Sequence, residues 1–499
     1  MNPSNATEEM GAAEAAAPMS VTSWPWTSAA VLFAIVSVLF GAIFTFVTPA
    51  FWGHDEITQM GRAYQVAHGG FFPQRINDQR GVAYGGQVPA SLNKLMGHAF
   101  EDYRNNPPEP GRMVEDPSSY RRLENQPVGT ATDTIWFTNT AAYSPIPYLV
   151  SAVAIRLSEA AGASVGDLVV AARLAGVLFY TTVVAIALWF LRGRQIAWLV
   201  FAVALVPMSV FQSGTVTADT MTNAIALLLS VLFIKARVLG DRLSGVESGV
   251  LIGSVVALPL CKPTDIFISL LGATVARRSL SGFAAARFLA PMAAVISLGL
   301  LWWWSTVSVG TGAGMGLMRP QSQWSSVNPG QQLMEMVHAP LRFLGTFVRT
   351  IALRDDLYFK QFFGELGFSY LTVPAVSIVL TSLAIIIGAG VSEELRCKRW
   401  ITVITFLVVL LSVGATFGAL YLGFSPVNYY IIDGVQGRYF LPFVLLTFSV
   451  LLRWVPWRLT SAVSGVSGAA LSKPAMAVVL LTVGSLLAAV LRYAYTLWH

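Results

Sequence analysis

The 499-residue sequence is poor in charge, in histidine and above all in cysteine: Asp, Glu, Lys and Arg make up 12 %, there are five histidines, and the two thiols are Cys261 and Cys397. Two cysteines so far apart give neither a disulfide framework nor a thiolate metal site, so both read as unpaired. The low charge content excludes a soluble chain of several domains, and a net charge of +6 carried in short loops is no nucleic-acid surface. Residues 1–26 contain no Lys or Arg; rich in Ala, Ser, Pro and Glu, they read as a disordered cytoplasmic tail. The apolar segment after them lacks the basic start and small-residue cleavage site of a secretory signal, which leaves a retained anchor. On that topology the Asn5-Ala6-Thr7 glycosylation triplet lies on the wrong side and is coincidental.

What is abundant is apolar sequence, 55 % of the chain, in repeated runs of roughly the 17–25 residues that carry a helix across a bilayer. The expected fold is an all-α polytopic membrane protein, with one transmembrane domain over residues 27–499. Spans are expected at about 27–47, 166–190, 195–211, 219–236, 247–261, 263–276, 287–308, 369–389, 400–423, 438–454 and 475–495, eleven in all. The pair 247–261 and 263–276 is short enough to be a tight or re-entrant hairpin. Residues 143–160 hold Pro145, Pro147, Arg156 and Glu159 and are expected to stay at the outer interface. This choice gathers Arg192, Arg194, Lys235, Arg237, Arg242, Arg277, Arg278, Arg287, Arg396, Lys398, Arg399, Arg453, Arg458 and Lys473 in cytoplasmic loops, as the positive-inside rule asks. The outer face then receives two large loops, at about 48–165 and 309–368, together with Lys262 and Arg438.

The first outer loop opens with His54-Asp55-Glu56. Read as a helix, HDEITQMGRAYQ at 54–65 puts Asp55, Gln59 and Arg62 on one face and Glu56 on its flank. Asp55 is either a general base at the mouth of a lipid-lined cleft or a helix N-cap with Arg62 as counter-ion; the residues alone leave both open. Asp219 in TVTADTMTN at 215–223 is an N-cap for the next span, or else holds a sugar hydroxyl or a metal. Lys262 between two apolar spans would cost about 2.5–3.5 kcal/mol if forced to the bilayer centre. It must therefore snorkel outward or meet an anion, with phosphate or Asp265 as the candidates. Arg438 could clamp a phosphate through its guanidinium fork or pair with Asp433. In the second outer loop, GTGAGMG at 310–316 lacks dinucleotide spacing and reads as a hinge. Leu333, Val337, Leu341, Leu344, Val348 and Ile351 follow at helical steps, marking an amphipathic helix on the bundle or in the headgroup layer. Trp302-Trp303-Trp304 fits an interfacial aromatic belt, with sugar stacking as the other reading.

Asp55-Glu56 with Arg62-Ala63-Tyr64, GGQVPASL at 85–92, YSPIPY at 143–148, TADTMTNA at 217–224, KPT at 262–264, NPGQQL at 328–333 and QGRYFLP at 436–442 form an ordered set. It resembles a bacterial membrane-protein family catalogued as domain of unknown function 2142, over about residues 48–450. That family is similar to the GT-C glycosyltransferases, membrane enzymes that use polyprenyl-phosphate-linked sugars. The resemblance implies a GT-C-like fold in the bacterial cytoplasmic membrane, with Asp55 as catalytic base and Glu56 beside it. The family's usual histidine four positions on is Gln59 here, a departure that counts against a proton-relay or metal role at that position and leaves the carboxylates intact. The candidate substrate- and phosphate-binding residues are Lys262, Arg438, Arg62, Asp219, Gln436, Tyr439 and Gln59.

The implied partners are a polyprenyl-phosphate sugar donor, a glycan or lipid-linked acceptor, and membrane lipid. A divalent cation held by Asp55, Glu56 and Asp219 is possible chemistry, though their spacing does not demand one. A lipid-linked saccharide flippase and a non-catalytic envelope-assembly protein are the competing functions.

Overall fold

The computed structural model describes residues 28–78, 81–105, 114, 116–275, 286–308, 314–368, 371–393, 398–454 and 471–498. The tail at 1–26, Cys397, residues 310–313 of the Gly-rich run, and Arg277, Arg278, Arg396 and Arg458 lie outside the described residues.

Among the described residues, six helices are long and apolar enough to cross a membrane: Ala29–Val47, Val165–Phe190, Ala218–Val238, Leu289–Val307, Arg399–Gly423 and Lys473–Trp498. Ala218–Val238 is 89 % buried, whereas the other five are 28–44 % buried, so it is the axis of the bundle and they present apolar faces outward. Its Ala218–Phe233 portion packs against Val165–Phe190, Gly245–Cys261, Ile266–Ala273 and Leu441–Leu451. Shorter apolar helices complete the bundle, among them Ala375–Val391 and the Gly245–Cys261 helix with its Ile266–Ala273 return arm.

The segment at 195–211 is broken. Ala197–Ala204 and Pro207–Ser213 are separate helices, because Pro207 has no N–H to continue the ladder and starts a new helix. Residues 143–160 give a helix of 12 residues, Leu149–Ala160, about 18 Å long. That falls well short of the roughly 30 Å hydrocarbon core.

The bundle has two chemically different ends. At one, Arg194 pairs with Asp241 and Lys235 with Glu247, Arg237 lies 4.9 Å from the Trp400 ring, and Glu393 accepts from the backbone N–H groups of Gln195 (2.6 Å) and Ile196 (2.9 Å). The other end carries the first loop, the start of Ala218–Phe233, Lys262 and Arg438.

The first loop is not purely helical. Strands β1 (Gln74–Asp78), β2 (Gly81–Pro89) and β3 (Thr132–Trp136) form an antiparallel sheet in the order β1-β2-β3. This corrects the all-α expectation to a mostly helical chain with a small sheet. Gly85 is required there, because a Cβ would lie 1.9 Å from the Ile135 carbonyl oxygen across the β2–β3 pair. The Glu56–Ala67 helix is buried beneath this sheet and against Leu149–Ala160, not spread on the interface.

The amphipathic segment of the second loop is two helices, Pro329–His338 and Pro340–Gly364, parted where Ala339 precedes Pro340. Its packed face is polar and aromatic, with Thr346, Thr350, Tyr358 and Gln361 buried, while Leu333, Val337, Leu341 and Val348 are exposed. An outward apolar stripe over an inward polar one is the arrangement expected of a helix facing lipid. Trp302 and Trp303 are exposed as well, but Trp304 is packed: it stacks on Phe72 and donates to the Ala142 carbonyl at 2.9 Å.

Candidate functional site

The turn before the Glu56–Ala67 helix is held in unusual backbone. Phe51 and Asp55 have φ of 67° and 54°, the left-handed region that non-glycine residues adopt at a cost. Asp55 sits at the N-cap position, yet its side chain makes no cap bond. Its Oδ2 instead accepts from Arg438 Nη2 at 3.1 Å, with the Asp55 side chain 43 % exposed. The counter-ion is therefore Arg438, separated from Asp55 by most of the sequence, and not Arg62.

Arg438 is buried and bridges two carboxylates. Nη1 donates to Asp219 Oδ2 at 2.9 Å, and Nε to Gln436 Oε1 at 2.6 Å. Asp219 is in the first turn of Ala218–Phe233, but the cap is Thr217, whose hydroxyl accepts from the Asp219 N–H. The Asp219 carboxylate also meets Lys262 Nζ at 3.3 Å and Gln212 Nε2 at 2.8 Å. Tyr439 places its ring 4.0 Å from Lys262 Nζ, a cation–π contact that shields the ammonium from the other side. Asp55, Arg438, Asp219 and Lys262 thus form an alternating chain of charge at one end of the bundle. The alternatives Asp433 and Asp265 are not in it: Asp433 pairs with Arg319 (2.9 Å) and Arg354 (2.7 Å), and Asp265 Oδ2 is buried without a hydrogen bond.

Three expected site residues do structural work instead. Glu56 is fully buried and takes a two-pronged pair from Arg173, at 2.7 and 2.6 Å, plus the backbone N–H groups of Gly53 and Val216, each at 2.9 Å. With all its acceptor directions in use, Glu56 anchors Arg173 and the turn at Gly53. Gln59 Oε1 accepts from Tyr148 Oη at 2.7 Å and from the Ala218 N–H at 3.3 Å, so it helps to cap the central helix. Arg62 is buried away from the charge chain, donating to the carbonyls of Gly70, Phe71 and Tyr143 and to Gln65 Oε1. Burial lowers its pKa to about 10, and no phosphate can reach it in this cage.

A cavity of about 150 Å³ adjoins the cluster. Its lining brings Lys262, Tyr439 and Tyr143 together with the apolar Ala419 and Leu420 of the Arg399–Gly423 helix and Phe424 next to it. Asn139 Oδ1 and Thr264 Oγ1, both from lining residues, are buried without hydrogen-bond partners. Unmet polar atoms beside a cation and apolar side chains suit a ligand with an oxygen-rich head and a hydrocarbon tail.

A divalent cation does not fit. Asp55 and Asp219 already face a guanidinium and an ammonium that would repel it, Glu56 is committed to Arg173, and among the described residues no group of three His, Cys, Asp or Glu is placed to hold a metal.

Sequence reasoning did not single out Arg173, although a lone guanidinium within a 26-residue apolar helix is a strong signal of a buried partner. It gave no role to His54, Gln212 or Glu365. His54 is buried with Nδ1 unpartnered, and burial, then Arg438, holds its pKa well below the usual histidine value. Glu365 is raised by burial against the opposing influence of its Gln361 hydrogen bond and of Arg438. No signal marked Gln212 or Glu365, which are ordinary polar residues until the fold brings them near Asp219 and Arg438.

The family described as a predicted membrane protein, DUF2142, has a model that matches residues 38–447, so the chain belongs to that family. Neither the curated proteins nor the solved structures contain a match.

Proposed function

We propose that this member of a predicted membrane-protein family is an inverting glycosyltransferase of GT-C type, in the bacterial cytoplasmic membrane with its site facing outward. It would take a sugar from a polyprenyl-phosphate donor and pass it to a cell-envelope glycan or lipid-linked acceptor. The reading is carried by one observation: a half-exposed carboxylate, Asp55, is joined through Arg438 and Asp219 to Lys262, which lines a cavity together with apolar side chains.

The donor's isoprenoid lies along the Arg399–Gly423 side of the cavity, and its phosphate approaches Lys262 and Arg438. Asp55 accepts the proton of the acceptor hydroxyl as that oxygen bonds to the anomeric carbon, and the bond from this carbon to the phosphate oxygen breaks. A single displacement inverts the sugar. The four charged groups sum to zero at rest, two carboxylates against two cations, and to +1 once Asp55 has taken the proton. That unit of positive charge, freed on Arg438, matches the charge developing on the departing phosphate. Proton uptake and leaving-group stabilisation are thereby one event.

The topology belongs to the same proposal. We read eleven passes, the short Ile266–Ala273 arm included, a reading supported by the paired Arg and Lys gathered at the end away from Asp55. The positive-inside rule puts the basic end in the cytoplasm.

The test is transfer of radiolabelled sugar from polyprenyl phosphate by the purified protein, wild type against Asp55→Asn at matched folding. We expect a loss of at least about 100-fold, the lower end of a general base's contribution. Unchanged transfer in the variant removes Asp55 as base. Lipid translocation without transfer favours the flippase, and neither activity with any donor favours an assembly protein.

A further inference from the structure

A second cavity, of about 280 Å³, lies away from the charge chain. It opens between the Pro117–Glu124 helix, the end of Ala29–Val47 and the start of Val165–Phe190, and the buried Arg173 contributes to its lining. Arg173 has no donor to spare: its five N–H groups go to both Glu56 oxygens and to the carbonyls of Thr45, Thr48 and Pro49. It is a neutralised wall. The polar groups left to meet a ligand are Glu124, Asp167, Arg121 and Asn125, with the hydroxyls of Thr48 and Ser164 beside them.

Glu124 is the informative one. It is half-buried, and among the described residues it has no hydrogen bond or ion pair. Burial raises its pKa, while Arg173 and Arg121 oppose the rise. An unpartnered carboxylate in such a place lacks a donor that bulk water supplies only in part. The choice of donor follows from the complete lining. A carboxylate only accepts, a guanidinium only donates, and an amide does both. A phosphate would face Glu124 and Asp167, and an ammonium would face Arg121. A hydroxyl donates to the carboxylates and accepts from Arg121 and Asn125. The volume equals about nine waters at about 30 Å³ each, room for one small ring.

We propose that this cavity binds one monosaccharide unit of a glycan through its hydroxyls. The site is separate from Asp55 and does not rest on sugar transfer, since a protein that only anchors or carries a glycan could use it equally. Its geometry links it to the charge chain all the same, because Arg173 holds Glu56 and Glu56 adjoins Asp55.

Saturation-transfer NMR and calorimetry on the full chain in nanodiscs test this, with the methyl glycosides of glucose, mannose, galactose and arabinose as probes and inorganic phosphate and ethanolamine as contrasts. We expect at least one glycoside to bind, and the isosteric Glu124→Gln to weaken it about tenfold, the worth of a hydrogen bond to a charged group. Gly166→Ala brings a Cβ to 2.7 Å from Glu124 Cβ, displacing that side chain, and should weaken binding too. If it fails to fold, Glu124→Gln decides alone. Binding that persists in Asp55→Asn supports a separate site, and its loss overturns that separation. The proposal also falls if no glycoside binds, if phosphate or ethanolamine binds in its place, or if Glu124→Gln binds as wild type.

Discussion

Asp55 is held at φ 54° with no cap bond, so the backbone strain and the carboxylate's orientation toward Arg438 come together. Asn tolerates left-handed backbone and Ala does not. Asp55→Asn should therefore melt close to wild type, while Asp55→Ala should lose about 1–2 kcal/mol more, read by thermal unfolding in detergent. His54 gives a pH signature. Its folded pKa lies well below the usual histidine value of about 6.5 through burial and then Arg438, so between those values the unfolded chain binds a proton that the folded chain refuses. Stability should fall as pH drops below about 6.5, by up to about 1.4 kcal/mol per unit, and His54→Gln should flatten that slope. The acids and bases were legible as residue types, but their pairing was not. Arg438 and Asp55 are joined only by tertiary packing, and a sequence offers Arg62 and Asp433 as nearer, wrong partners.

The Glu56–Ala67 helix links the first loop to the core, because Glu56 and Gln59 meet N–H groups at the start of Ala218–Phe233 while Glu56 also holds Arg173. Removing one member leaves the other's charge buried and unpaired. Arg173→Met should cost about 3–5 kcal/mol, measured by unfolding, and Glu56→Met with Arg173→Met should recover much of it. Helices were readable from apolar length and their ends from Thr, Ser and Pro, as at Thr217 and Pro207. The sheet was not. Strands β1 and β3 have five residues each and owe their pairing to β2, so neither carries a signal long enough to stand alone.

At the scale of the molecule, the Asp55 end and the basic end call for opposite sides of the membrane. Cysteines placed at Gln87 and Arg192, both exposed, should differ: an impermeant maleimide added to intact cells should label the first and spare the second. The lipid-facing stripe of Pro340–Gly364 has a further consequence. This helix is fastened to the segment bearing Arg438, since Gln361 Oε1 accepts from the Gly437 N–H at 2.8 Å and Arg354 pairs with Asp433. Vesicles of short and long acyl chains set such a float at different heights. The guanidinium would rise or sink with it, making bilayer thickness a regulator of this protein.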